Sequence, residues 1–195
     1  MGSHFTSALL ETGKHSITAI TRAGSTSTLP PGVAKVVVDY DAAETLTAAL
    51  KGHDALVITL AVTAPEGTHS KLVRAAAAAG IPFVVPNVYG PDPTNEGLIR
   101  DIPLWKQGAA ITREVQELGM KSLVLSCGYW YEFSLGGGSI RYGFDFHKKT
   151  VVFVDQGEAK TSTSTFPQVS CPTRVAAQAS AKLTVESAGA VWLRC

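Results

Sequence analysis

Between Val33 and Leu60 the chain reads VAKVVVDYDAAETLTAALKGHDALVITL, and this stretch decides the fold. Val33 to Val38 is a continuous β-branched run, the mark of a strand buried on both faces. Asp41 to Leu50 follows with helical character, with Asp41 placed to cap its start and Gly52 just beyond its end. Ala55 to Leu60 is a second buried apolar run. Strand, helix and strand in so short a span make a βαβ unit, which requires a parallel pair joined by a crossover.

The same alternation extends in both directions. Upstream, Gly2 to Leu10 has Phe5, Leu9 and Leu10 on one helical face and Gly13 as its stop. Ser16 to Thr21 alternates as a short strand, and Arg22 to Gly32 is a turn-rich loop containing Pro30-Pro31-Gly32. Downstream come an alanine-rich helix from Thr68 to Ala79, a strand from Pro82 to Val85, a helix from Pro103 to Leu118 and a strand from Ser122 to Ser126. The expected architecture is α/β, a doubly wound parallel sheet of Rossmann type. Beyond it the texture changes. Gly136-Gly137-Gly138 opens a loop, and Ile140 to Phe146 and Val151 to Val154 read as two strands joined through His147-Lys148-Lys149. The C-terminal part is thus expected to be irregular and β-rich.

Composition narrows the function. In 195 residues, 17 Lys plus Arg balance 16 Asp plus Glu, leaving a net charge of +1. A nucleic-acid surface usually needs a basic stripe, and none is present. Three widely spaced cysteines (Cys127, Cys171 and Cys195) form no CxxC pair and suit neither a disulfide framework nor a zinc site. Cys127 reads as a core residue rather than a nucleophile, with no histidine partner evident. His4, His15, His53, His69 and His147 lack metal-ligand spacing, so no metal is expected. No apolar run reaches the ~20 residues of a membrane helix. A reduced, cytoplasmic compartment follows as the expectation. Met1 to Thr6 also fits the loose pattern for N-myristoylation, although a helix start explains the same residues.

Four segments, in order, resemble the NmrA-like and isoflavone-reductase-like family, a branch of the extended short-chain dehydrogenases. They are Ile17-Thr18-Ala19-Ile20-Thr21-Arg22; Val38-Asp39-Tyr40 with Leu46, Ala49-Leu50, Lys51-Gly52 and Asp54 to Val57; Ala75-Ala76-Ala77 with Ala79-Gly80-Ile81 and Pro86-Asn87-Val88-Tyr89-Gly90; and Gly128-Tyr129-Trp130-Tyr131-Glu132. The resemblance runs from Gly2 to about Val169 and is strongest to fungal members. It implies an NADP(H)-dependent oxidoreductase acting on a small substrate, an aromatic one among the candidates. It also admits a dinucleotide sensor that binds NAD(P) and a protein partner without catalysis, or an inactive product.

The family opens with a strand and a Gly-x-x-Gly-x-x-Gly turn. Here Gly2 matches the last of those glycines, so the first strand is expected to be lacking. The strands Ile17–Thr21 and Ala55–Leu60 should then either pair directly or leave an opening between them. The implied organisation is 1–128 as the NAD(P)-binding domain, 129–169 as a partial substrate-binding region and 170–195 as a divergent tail.

The resemblance also assigns site residues. Gly2 would meet the pyrophosphate at a helix N-terminus. Arg22 stands where an NAD enzyme usually carries Asp or Glu, and a cation there suits a 2′-phosphate. Ser25 and Thr26 could add hydroxyl donors. Arg22 is otherwise a solvated surface arginine. Asp39 and Tyr40 would lie beside the adenine. Thr59, Leu60 and Ala61 would pass the nicotinamide ribose, with Asn87 close by; the alternative for these is ordinary strand-end structure. Tyr129, Trp130 and Tyr131 would receive a flat substrate, or else pack against the glycine loop.

Catalysis is the least legible part. No tyrosine is followed four residues later by lysine. The lysine used by the isoflavone-reductase branch falls on Gly108, and the nearest amine is Lys106. A two-residue offset turns a helix by ~200°, so that amine would sit on another face.

Overall fold

The computed structural model describes residues 2–61, 63–90, 92–169 and 191–194. Helix α1 (Gly2–Glu11) buries Phe5 and Ala8 and leads into strand β1 (Ile17–Arg22). Strand β2 (Val33–Val38) pairs with β1 in parallel, from Ile17 opposite Val33 to Arg22 opposite Val38. Helix α2 (Ala43–Leu50) then crosses to β3 (Ala55–Val57) and buries Leu46 and Leu50 on the way. Helix α3 (Thr68–Ala78), β4 (Phe83–Val85), the short α4 (Glu96–Asp101), α5 (Pro103–Glu117) and β5 (Lys121–Ser126) complete the alternation.

The parallel strands fall into two sheets. One is β1-β2; the other runs β10-β5-β4-β3, where β10 is Val191–Arg194. Among the described residues no ladder joins β1 to β3, so of the two expected arrangements direct pairing is not the one found. The two sheets nevertheless share one core. Leu46, Leu56, Ile58, Val73, Val84 and Val115 are almost fully buried together, and Ile20 and Val36 of the first sheet pack against them. Neighbouring residues of a strand face opposite ways. Val84 enters this core, whereas Val85 joins Phe5, Tyr89, Leu125 and Cys127 on the other face. Helices α1 and α2 thus cover opposite faces of the sheets. Burying an aliphatic side chain of this size is worth about 1.5–3 kcal/mol, so these two clusters hold the fold together. Cys127 is buried, as its place in the sequence implied.

Several elements differ from their sequence pattern. Strand β2 is not buried on both faces: Ala34, Lys35 and Val37 are exposed, because its sheet has only two strands and an open outer side. Asp41 does not cap α2. Ala42 holds that position without a side-chain bond, while Asp41 reaches Lys71 Nζ at 2.5 Å on α3. Strand β3 ends at Val57, although Ile58 N–H still donates to Val85 O at 2.9 Å. Helix α4, capped by the Asn95 side chain, stands where the sequence pattern assigned no element.

Past β5 the corrections are larger. Tyr129-Trp130 (β6) pairs in parallel with Thr163-Ser164 (β9), and α6 (Tyr131–Leu135) follows at once. Gly128 makes this possible: its φ is +65°, and a Cβ there would collide with the Ser162 carbonyl. Ile140 to Phe146 is not one strand. It begins as α7 (Ser139–Tyr142), and only β7 (Phe144–Asp145) pairs, antiparallel, with β8 (Thr150–Val151). A 3-10 turn at Val154–Gly157 replaces the end of the second expected strand. In the tail, residues 170–190 and 195 lie outside the described residues, so the reading of 170–195 as divergent falls largely there.

Candidate functional site

Parallel strands deliver their carboxyl ends to one side of the molecule, and β1, β2 and β3 each end in a residue singled out by sequence. Strand β1 ends at Arg22, which is exposed and makes no ion pair among the described residues. Strand β2 delivers Asp39 and Tyr40. Burial pushes the Tyr40 phenol up, and the nearby Arg22 charge partly offsets this, which places the guanidinium within electrostatic reach of the ring. The Asp39 backbone is tied to α2 by Thr45 Oγ1, which donates to Asp39 O at 2.8 Å. Asp39 Oδ1 accepts from Asp41 N–H at 2.9 Å, so this carboxylate shapes the turn. Ser25 is half-buried and shares a 3.2 Å hydrogen bond with Ser27; Thr26 is exposed.

Past β3, Thr59 and Ala61 are exposed and Leu60 is half-buried. The amino end of α1 rests against this segment. A Cβ on Gly2 would stand 2.7 Å from Thr59 Oγ1, so only glycine leaves this approach open. Asn87, two residues past β4, grips the segment: its Oδ1 accepts from Leu60 N–H at 3.1 Å, and its Nδ2 donates to Leu60 O at 3.3 Å. Asn87 thus enters the site as the support of Leu60.

Two supports were not legible in the sequence. Tyr89 Oη, deeply buried, donates to Ile58 O at 2.8 Å. His69 on α3 accepts the Asn87 N–H at Nε2, 3.4 Å away. Its burial lowers its pKa to about 4, against the opposing pull of Glu114, so the ring is neutral. The only available signal was the segment Pro86 to Gly90, which singled out Asn87 and Tyr89 without showing what they hold.

The aromatic triplet after β5 divides. Trp130 turns inward, with its ring centroid 5.1 Å from Phe166 and 6.5 Å from Tyr89. Tyr129 and Tyr131 stay partly exposed and both meet Tyr142, at 5.7 and 6.1 Å between centroids. The three phenols form one aromatic wall, and the sequence reading did not join Tyr142 to the other two because it lies eleven residues past Tyr131.

On α5, Lys106 is exposed. Gly108, at the family's lysine position, faces Val88: a Cβ there would meet Val88 Cγ1 at 3.3 Å. A separate cleft of about 670 Å³ lies between α4 and α5, lined by Thr94, Arg100, Thr112, Arg113 and Gln116 among others. None of the sequence-derived site residues lines it. Among the described residues, no three His, Cys, Asp or Glu side chains are grouped to hold a metal, and no helix is long and apolar enough to cross a membrane.

Comparison with known proteins bears on this arrangement. The model of the NmrA-like family matches residues 1–136. Oxidoreductase poxI of Penicillium oxalicum is 27% identical over 168 residues, covering 81% of this chain and 51% of its own length. The chain therefore spans about half the length of that curated relative. Among solved structures, an isoflavone reductase superposes with a TM-score of 0.70 at 21% identity, covering 90% of this chain and 61% of its own. A Citrobacter triphenylmethane reductase, complexed with NADP(H), gives 0.66 at 18% identity, with 89% and 60% covered. At such identities the structural likeness establishes the fold: α/β, with the parallel strands of the Rossmann type.

Proposed function

The chain belongs to the NmrA-like family, and from that premise we propose that it is an NADP(H)-binding oxidoreductase acting on a small, aromatic substrate. One observation carries the reading. Arg22 is an exposed cation at the carboxyl end of β1, beside Tyr40 and on the side of the molecule to which β2 and β3 deliver Asp39 and Thr59 to Ala61. A dinucleotide lies across strand ends of this kind. A guanidinium there suits a 2′-phosphate through charge-assisted bonds, whereas the 2′-hydroxyl of NAD calls for a carboxylate. The relatives' names support the same reading: one is an oxidoreductase, and another was solved with NADP(H).

In this reading, residues 1–128 form the dinucleotide part and 129–169 contribute to the substrate region. The residues present fit the adenosine side: Arg22 with Ser25 for the phosphate, Asp39 and Tyr40 for the base. Gly2 lets the amino end of α1 approach Thr59 without a side chain between them. When bound, NADPH supplies a hydride. The chain's own part is to hold Leu60 through Asn87 and to present Tyr129 and Tyr131 to a flat substrate. No amine occupies position 108, and the nearest, Lys106, is exposed and two residues away. Titration of the purified chain with NADPH and NADH tests the reading. Tighter binding of NADPH, lost in Arg22→Ala, is expected; equal affinity for the two would overturn it.

A further inference from the structure

Tyr142 carries a buried hydroxyl that the fold does not use. Its ring is half-buried beside Tyr129 and Tyr131, but its Oη is shut off from solvent and has no hydrogen-bond partner among the described residues. Leaving a buried hydroxyl without a partner is unfavourable, and such groups call for an explanation. The chain on either side holds it in place. The Arg141 guanidinium lies over the Phe133 ring, 3.5 Å from its centroid, and Arg141 Nη1 donates to Phe133 O at 3.0 Å. This clasp ties α7 to α6. Beyond the tyrosine, Gly143 O accepts from Val152 N–H at 2.9 Å, which fastens the end of α7 to the chain just past β8.

We propose that Tyr142 determines substrate specificity: its hydroxyl donates to a carbonyl oxygen on an aromatic substrate whose ring lies against Tyr129 and Tyr131. The inference rests on the reading of Tyr129 and Tyr131 as the substrate wall, and adds the polar group that the substrate carries. Tyr129 follows the carboxyl end of β5, which runs parallel to β4 and β3, so the wall stands on the same side of the molecule as Thr59 to Ala61. The two rings that meet Tyr142 are partly exposed, and exposed side chains reorient quickly, so a planar ligand can part them without moving the backbone. Burial, then the neighbouring Tyr131 and Tyr129 phenols, push the Tyr142 phenol up, so it keeps its proton and donates throughout the neutral range. A donor held in this way needs an acceptor. On an aromatic molecule reduced by hydride, a carbonyl supplies that acceptor beside the carbon that takes the hydride. Trp130 Nε1 is also buried without a partner, but its ring is packed against Tyr89, Phe133 and Phe166. It is the competing donor.

The test reads binding alone, with no dinucleotide added. Acetophenone carries an aryl ketone, and isopropenylbenzene has the same shape with a methylene in place of the oxygen. Both are titrated by calorimetry into the chain and into Tyr142→Phe, which keeps the ring and removes only the hydroxyl. The unaltered chain should bind the ketone about tenfold more tightly than the alkene, the scale of one neutral hydrogen bond. Tyr142→Phe should bind the two alike, with the alkene affinity unchanged, which shows that the wall is intact. A second readout separates donation from mere support. The infrared carbonyl stretch of bound acetophenone, isotope-labelled at the carbonyl, should lie at lower frequency on the unaltered chain than on Tyr142→Phe. A ketone preference and a carbonyl shift that both survive the substitution would overturn the proposal and pass the oxygen to Trp130, leaving the aromatic-substrate reading in place. Failure of the unaltered chain to bind either compound would overturn both.

Discussion

Asn87 holds Leu60 by both ends of its peptide unit, accepting from its N–H at 3.1 Å and donating to its C=O at 3.3 Å. The side-chain amide thereby stands in for the ladder partner that β3 loses after Val57. It keeps the segment Thr59 to Ala61 extended at the place where a dinucleotide would pass. Replacement by alanine leaves both Leu60 groups without partners in a half-buried setting, which costs about 1–3 kcal/mol. Asn87→Ala should therefore lower the unfolding free energy by that amount and weaken NADPH binding as the segment loosens. Asn87→Asp keeps the acceptor and loses the donor, so it should fall between. Urea titration of the two variants, with wild-type stability in Asn87→Ala, would show that the clasp does not matter.

The alternation of Val33–Val38, Ala55–Leu60 and their helices made the parallel architecture legible, since buried β-branched runs and gapped apolar helices differ in period. That β1 and β3 share no ladder is one of the two arrangements the order of strands allowed; the sequence did not choose between them. What stayed hidden depends on three-dimensional neighbours. Val33 to Val38 reads as fully buried because β-branched residues favour strands whether or not a second face is covered. Ser139 to Tyr142 became helical because glycines on either side isolate a single turn, where propensity is weakly informative. In the site, that Arg22 and Asp39 stand at strand ends was legible from the strand pattern. The roles of His69 and Tyr89 were not, because they are bonds to backbone groups 18 and 31 residues away, at Asn87 N–H and Ile58 O, and a side chain's type does not announce which backbone group it will find.

Arg22 is the residue on which cofactor choice turns. It is exposed, so its removal should cost the fold little. A hydrogen bond to a charged group is worth ~1.5–3 kcal/mol, or roughly ten- to a hundredfold in affinity. Arg22→Ala should lose that much NADPH affinity and leave NADH unchanged. A fluorescence titration in which both cofactors weaken equally would place the guanidinium on the shared part of the dinucleotide instead of the 2′-phosphate.

Lys106 is the nearest amine to the position held by Gly108, but it is exposed on α5. A positioned general acid contributes ~10²–10⁴-fold to rate. With the amine turned to solvent, Lys106→Ala should leave NADPH-dependent reduction of an aromatic acceptor within roughly tenfold of wild type, well short of that contribution. A thousandfold loss of turnover with NADPH affinity retained would show instead that Lys106 swings in to donate the proton.

His69 makes the support of Asn87 dependent on pH. Its Nε2 accepts the Asn87 N–H, so the ring proton sits on Nδ1, and a second proton would have to displace that hydrogen bond. Burial holds the folded pKa at about 4, below the ordinary 6.5. Between these values the unfolded chain binds a proton that the folded chain does not. Stability therefore rises with pH through this window and is lost as pH falls from 6.5 toward 4. Below that the folded ring also protonates and the dependence levels off. A shift of this size corresponds to about 3 kcal/mol at most. Glu114 faces the same ring and accepts from Ser70 Oγ and Arg74 Nε, so its carboxylate is the charge that moderates the effect. His69→Leu removes the titrating group. The variant should be less stable than wild type at pH 7.5, where the Asn87 N–H loses its acceptor, and the difference should shrink toward pH 4.5. Denaturant unfolding at both pH values measures that difference directly; a gap that stays constant would mean that His69 exchanges no proton on unfolding.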